Sequence, residues 1–293
     1  MSIDLGTKDE VVRNHYEQDL NDHWEEKQSD PINLLLGAMD GLYHHHYAVG
    51  DFNRKLLQAP PDERERLILR EMHRMENEQV ELILDALDGL PPDARVMDAG
   101  SGRGGTSFMV HERYGCQVDG VNFCTHHIEF AERLAEQRKC ADKVNFHYAN
   151  MAKTPFESGS FDAIVSNETT MYVDLNEAFA EFSRLLRPGG RYVLVTWCQN
   201  DAVADKSDDV AAIDEHYVCH IHKRSAYLKA LSDNGLVPSR VLDLTAEAIP
   251  YWELRENSAL KTGVEVPFLA GYRTNSLNYV VIAAERVVEP TDH

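Results

Sequence analysis

No run of apolar residues in the sequence approaches the roughly 18 that a membrane span requires. Its first twenty residues, MSIDLGTKDEVVRNHYEQDL, carry charges every few positions where a signal peptide would need an apolar core. A soluble, cytoplasmic protein with no membrane partner is the expectation. Paired cysteines are missing as well. Cys116, Cys124, Cys140, Cys198 and Cys219 are odd in number and scattered, with no CxxC pair and no metal-ligand spacing, so reduced thiols are expected. Positive charge is scarce: 29 Lys and Arg stand against 49 Asp and Glu, for a net charge of -20. That balance argues against a nucleic-acid partner, whose binding depends on basic side chains neutralising phosphates, yet it leaves room for a local basic pocket holding a small anion. Repeats and low-complexity stretches are also lacking, so function has to come from local motifs.

What is present is a chain of 293 residues, 43% of them hydrophobic, enough for a sizeable core without staples. Residues 1–60 are rich in aromatics and His but weakly periodic; HYEQDLNDHWEE suggests a short helix, and the whole stretch reads as a lid on a second domain spanning 61–293. From Pro61 the pattern becomes regular. PPDERERLILREMHRMENEQVELILDALDGL predicts one long helix or two, ending at Gly89 and Pro91. Buried strands are then predicted at ARVMDAG, CQVDGVNF, VNFHYAN, FDAIVSN and RYVLVTW, with helices at GGTSFMVHERYG, THHIEFAERLAEQRKCA and LNEAFAEFSRLLRPGG. This alternation implies an α/β fold with a mostly parallel sheet, whose crevice lies at the carboxyl ends of the strands. Beyond Cys198, NDAVADKSDDV reads as polar and mobile, HYVCHIHKRSAYLKALSDNGL as helical toward its end, and VPSRVLDLT and LNYVVIAAERV as further strands.

DAGSGRGG, Asp98 to Gly105, follows a strand and opens a helix, and Gly100, Gly102 and Gly105 spell GxGxxG. A dinucleotide would place its pyrophosphate at that helix start, where the carboxylate of Asp98 would repel it; a sulfonium and ammonium ligand would be attracted. DAGSGRGG, with PGG at Pro188 to Gly190 before a strand, resembles the class I S-adenosylmethionine-dependent methyltransferases over about residues 60–200. The resemblance implies their Rossmann-like, seven-stranded fold and cofactor contacts at Asp98, Gly100, Ser101, Gly102, Asn122, Asn150, Met151 and Asn167. Asn122 departs from the acidic residue that many members hold at the end of the second strand, which leaves ribose contact to an amide rather than a carboxylate. Met151 reads equally as ordinary core filling.

After the fourth strand, SNETTMYV lacks the Pro-Pro-aromatic signature of nucleic-acid amino-methyltransferases. Its lone carboxylate, Glu168, sits where this class faces the substrate. A helix cap or buried ion pair is the alternative, although Asp174 is the more natural cap. NLLLGAMDGLYHHHYAVG, VMDAGSGRGG, NETTMYVDL and PYWELR together resemble the prenyl diphosphate C-methyltransferases, from about Pro31 to Val287. The resemblance implies S-adenosylmethionine-dependent methylation of the alkene of a short prenyl diphosphate, geranyl or isopentenyl, through a carbocation that Glu168 deprotonates. It assigns cation stabilisation to Tyr217, where the geranyl enzyme has Phe. It also assigns diphosphate contacts to Asn33 and Tyr47, with Mg²⁺ bridging the phosphates and held largely through diphosphate and water. Tyr172 and Trp252 are further aromatic candidates for the substrate wall, with plain core packing as the alternative. His44, His45 and His46 cannot all ligate one ion, because consecutive side chains point in different directions, and no dedicated protein metal site is expected. HIHKR, His220 to Arg224, reads either as steering the anion or as a solvated helix start. A methyltransferase for an amine, phenol or unsaturated lipid, and a non-catalytic cofactor-binding protein, are the rival readings. The sequence does not decide between a monomer and a homo-oligomer.

Overall fold

The computed structural model describes residues 8–27 and 30–287. After a four-residue turn of helix, α1 (Lys8–Val11), the predicted helix HYEQDLNDHWEE forms as α2 (His15–Glu26). Asn14 caps α2, its side chain accepting the Glu17 N–H at 2.9 Å. Asp30 and Pro31 start α3 (Pro31–Gly37) in the same way. YHHHY then runs as an irregular segment toward a 3₁₀ turn, Arg54–Gln58.

The long periodic stretch is a single helix, α4 (Pro61–Ala86), with Pro at its start and Asp62 and Glu63 in its first turn. Its buried stripe includes Ile68, Met72, Met75, Val80 and Ile83. Next come β1 (Arg95–Ala99), α5 (Gly105–Tyr114), β2 (Gln117–Asn122), α6 (Thr125–Gln137), β3 (Val144–Tyr148), β4 (Phe161–Asn167), α7 (Leu175–Leu185) and β5 (Leu186–Gln199). The chain closes with α8 (Asp208–Tyr217), α9 (Arg224–Asp233), β6 (Leu236–Asp243), α10 (Thr245–Glu256), α11 (Glu265–Arg273) and β7 (Leu277–Arg286). Asp174 caps α7 as expected, accepting the Glu177 N–H at 2.9 Å.

The seven strands form one sheet in the order β3-β2-β1-β4-β5-β7-β6, parallel except for β7, which is antiparallel to both its neighbours. This is the class I methyltransferase fold. Hydrophobic clusters cover the sheet on both faces, so strands such as β4 and β5 are buried almost throughout. The order reverses between β1 and β4, which opens the crevice at their carboxyl ends, beyond Asp98 and Asn167.

The polar stretch after Cys198 is a correction. Only its first part is a loop; Ser207 caps α8 through the Val210 N–H, and the helix buries Val210, Ile213 and Tyr217. Three apolar residues one turn apart within an acidic text were too sparse to outweigh the Asp-rich composition. Among the described residues no helix is long and apolar enough to cross a membrane, and all five thiols are free and buried.

Candidate active site

The crevice holds a cavity of about 410 Å³. Its floor is the glycine loop. Gly100 has φ +87°, and a Cβ there would lie 2.4 Å from the Thr169 side chain, so only glycine lets this loop pass under the segment that follows β4. Asp98, at the end of β1, is buried beneath the loop and accepts the Ser107 hydroxyl at 2.6 Å. Burial pushes its carboxyl up to about 6, against the pull of Ser107. A cationic ligand would supply the counter-charge that this carboxyl lacks.

Asn122, at the end of β2, spends its Oδ1 on the Cys124 N–H at 2.9 Å. Ser101, Gly102 and Met151 line the same part of the cavity. Asn167 does too, and its amide is held by Gln79 at 2.7 and 3.0 Å and by the Thr106 hydroxyl at 3.2 Å.

Glu168 follows directly, in the left-handed region with φ +54° and only 4% exposed. Its Oε1 accepts the Tyr279 hydroxyl at 2.5 Å and the Tyr47 N–H at 3.1 Å. Oε2 has no hydrogen-bond partner among the described residues; the Trp197 indole N–H acts on the carboxylate without reaching hydrogen-bond geometry. Burial raises the carboxyl to about 7, more than these donors, led by Tyr279, pull it back, and the Glu76 carboxylate adds to the rise.

A stability consequence follows from the sign of this shift. A carboxyl raised from 4.5 to about 7 favours the folded state while it is protonated, and that contribution fades as pH rises through 7. Glu168→Gln should therefore be more stable than the parent by about 3 kcal/mol at pH 8, the gap closing toward pH 5. Denaturant melts at the two pH values measure it, and an equal gap at both would contradict the assignment.

The N-terminal segment roofs the cavity. Asn21 donates to the Phe123 carbonyl at 2.7 Å, and the Tyr16 hydroxyl to the Val218 carbonyl at 3.0 Å. Within YHHHY the imidazoles of His44 and His46 lie side by side, 4.6 Å apart between ring centres, while that of His45 points away from them. His44 bonds Asn77 at 2.8 Å and His46 the Tyr47 carbonyl at 2.7 Å, whereas His45 faces the glycine loop and pairs with Arg103. Tyr47 projects into an aromatic box, 4.3 Å from Trp252, 5.4 Å from Phe268 and 5.9 Å from Trp197 between ring centres, and its hydroxyl bonds that of Tyr217. Tyr172 lines the wall beside Trp24, and Asn33 sits at the rim, where its amide donates to Asp30 at 2.6 Å. Two cations join them: Lys27, 5.0 Å from the Tyr217 ring, and Arg255, 5.5 Å from that of Tyr47.

The methyltransferase domain family matches residues 97–194. The geranyl diphosphate 2-C-methyltransferase of Saccharopolyspora erythraea is 46% identical over 93% of this chain and 95% of its own, and that of Streptomyces lasalocidi 46% over 93% and 91%. The chain belongs to the geranyl diphosphate 2-C-methyltransferase family. A crystal structure of the Streptomyces coelicolor geranyl diphosphate C-methyltransferase, in complex with Mg²⁺, geranyl-S-thiolodiphosphate and S-adenosyl-L-homocysteine, superposes with a TM-score of 0.92. It is 43% identical, over 94% of this chain and all of the other.

Within this member of the geranyl diphosphate 2-C-methyltransferase family, two expected site residues lie off the cavity wall. Asn150 accepts the Ala152 N–H at 3.0 Å and donates to the Val11 carbonyl at 3.0 Å, so its side chain holds the N-terminal segment instead of facing a base. Trp252 is wholly buried and stacks on Phe268 at 3.9 Å, behind Tyr47, where it supports the wall without forming it. HIHKR does not face the cavity: Arg224 pairs with Asp243 at 2.8 Å, and Lys223 bonds the Val203 and Ala204 carbonyls. Cys124, His126 and His127 offer ligand atoms within 4.8 Å of one another, but Glu25 already holds His126 and the charge of Arg103 opposes a second cation there.

Lys27, Arg255, Trp24, Trp197, Gln79 and Tyr279 were not singled out from sequence. Two carried a usable signal: Trp197, at the carboxyl end of the predicted strand RYVLVTW, and Arg255, the last residue of PYWELR. The others reach the site from helices and a strand far away in the chain.

Proposed function

We propose that this protein, an S-adenosylmethionine-dependent prenyl diphosphate C-methyltransferase, takes geranyl diphosphate, the substrate for which its relatives are named. The observation that supports the mechanism is the buried Glu168 carboxylate, whose Oε2 has no hydrogen-bond partner among the described residues and lies in a cavity walled by aromatic rings. Bound S-adenosylmethionine supplies an electrophilic methyl group, and its sulfonium and ammonium charges fit the buried Asp98 and the glycine loop. When the substrate's π electrons form the new bond to that methyl carbon, the carbon–sulfur pair leaves with the neutral thioether, and the alkene carbon left behind is a tertiary cation. Glu168 lowers its energy by opposite charge, then takes a proton from an adjacent carbon as the C–H electron pair forms the new double bond. The faces of Tyr217, Tyr172 and Trp197 stabilise the cation without trapping it, since a ring quadrupole attracts charge but offers no lone pair like that of water.

Lys27 and Arg255 give the diphosphate its counter-charge, with Asn33 donating at the rim. Glu26, Asp30 and Asn33 are oxygen donors suited to a hard dication, so Mg²⁺ carried in with the diphosphate fits this rim, held mainly by phosphate and water. Of the expected lid, 1–60, the described residues 8–27 and 30–60 cover the cavity and exclude water, residues 1–7 and 28–29 lying outside the described residues, and the five unbridged thiols suit a reducing, cytoplasmic setting.

Isopentenyl diphosphate is the second reading, and the bridge between the Tyr47 and Tyr217 hydroxyls favours it. That bridge sets a polar pair in the otherwise aromatic wall, and it occupies the Tyr47 hydroxyl otherwise assigned to the diphosphate. Isopentenyl, geranyl and farnesyl diphosphates offered in competition with labelled S-adenosylmethionine test both. Preferential labelling of the geranyl product is expected. Exclusive labelling of the five-carbon acceptor would select the second reading, and equal turnover of geraniol would exclude the diphosphate requirement.

A further inference from the structure

Glu168 is held by a partner that never touches the cavity. Tyr279, on β7, is fully buried and does not line the wall; its hydroxyl donates to Glu168 Oε1 at 2.5 Å and accepts from Gln79 Nε2 at 3.0 Å. Gln79, on α4, is itself clamped to Asn167, the residue before Glu168. The carboxylate, its backbone neighbour and the tyrosine are thus tied to one glutamine. With Oε1 occupied by Tyr279 and the Tyr47 N–H, the two oxygens of Glu168 are no longer equivalent.

We infer that Tyr279 is a positioning residue for the reaction, which by saturating Oε1 reserves Oε2 of Glu168 as the oxygen that receives the substrate proton. The inference rests on the proposed role of Glu168 as base. A phenol O–H bonded to a carboxylate stabilises the charged form, so Tyr279 also keeps the base deprotonated at a pH where burial alone would neutralise it. The other groups acting at this carboxylate leave Tyr279 the leading donor. Tyr47, Tyr172, Tyr217 and Tyr272, from the lid, the turn after β4, α8 and α11, are phenols held well above their ordinary range and stay neutral. Glu76, on α4, pushes Glu168 up, while Arg255, from α10, spends its Nε on Glu265.

Tyr279→Phe tests the inference in the intact enzyme. The acidic limb of its kcat/KM profile should move up by about one pH unit or more. Activity should fall about tenfold at pH 6.5 yet recover to within about threefold of the parent at pH 9. An isotope-edited infrared titration of the Glu168 carboxyl, with the Glu168→Gln spectrum subtracted, should show the same displacement. Gln79→Leu, which leaves the phenol in place but removes its anchoring donor, should shift the carboxyl the same way by less, and it serves if the first variant folds poorly. A uniform loss at every pH with an unmoved carboxyl titration would overturn the inference. Normal turnover by Glu168→Gln would instead overturn the reading of Glu168 as base, while the infrared titration would still decide whether Tyr279 controls that carboxylate.

Discussion

Glu168→Gln should lower turnover of a prenyl diphosphate by at least about two orders of magnitude while leaving affinity for S-adenosylmethionine within about twofold. The amide keeps the size of the side chain, and its oxygen can still accept from Tyr279 and the Tyr47 N–H. What disappears is the negative charge opposite the cation and the basic Oε2, both needed only once the methyl has moved. The loss therefore belongs in kcat and not in cofactor binding, for which the proposed contacts are Asp98 and the glycine loop. Single-turnover kinetics with an equilibrium measurement of cofactor binding separates the two. Turnover within a few fold of the parent would send the proton elsewhere, to diphosphate or water.

Arg255→Met should destabilise the fold by about 3–5 kcal/mol and lower the melting temperature by roughly 10 °C. The guanidinium is buried, and its Nε donates to the equally buried Glu265 at 2.9 Å. That carboxylate also accepts the Thr262 and Gly263 N–H groups, fixing the turn into α11. Removing the cation strands the anion, and it also strips a plane from the Tyr47 and Trp252 rings. Pairing it with Glu265→Gln should recover part of the loss, because most of the penalty is the uncompensated charge. Calorimetric melts of both variants decide it, and a single-variant loss below about 1 kcal/mol would show that water reaches the pair.

The parallel core of the fold was legible because each strand is a short apolar run and each helix carries periodic apolar spacing; DAGSGRGG, FDAIVSN and LNEAFAEF each specify their own conformation locally. The region after Cys198 was harder to read for a physical reason. In α8 Asp208 and Glu215 are exposed while Val210, Ile213 and Tyr217 face the core, and α10 forms with Pro250 inside it, so tertiary packing overrides local propensity in both. At the site, residues at strand ends were visible because the carboxyl edge of the sheet is where a ligand binds. Tyr279 and Gln79 were not, since each reads as one more buried residue on its own element, and only their meeting at Glu168 gives them a role. Asn150, just beyond β3, and Trp252, on α10, lie off the described cavity wall, and neither a strand-end nor a helix position fixes which way a side chain points.

The left-handed backbone of Glu168 has a consequence for reading related sequences. Glycine would relax the backbone here by about 1 kcal/mol but would leave the Tyr279 hydroxyl and the Tyr47 N–H without their acceptor, so it is tolerated only in a chain that no longer needs the carboxylate. A relative that keeps the glycine loop and YHHHY but carries glycine here would then be marked as one that binds without turning over. On the proposed role of Glu168 as base, glutamate in that conformation marks activity at a cost in backbone strain.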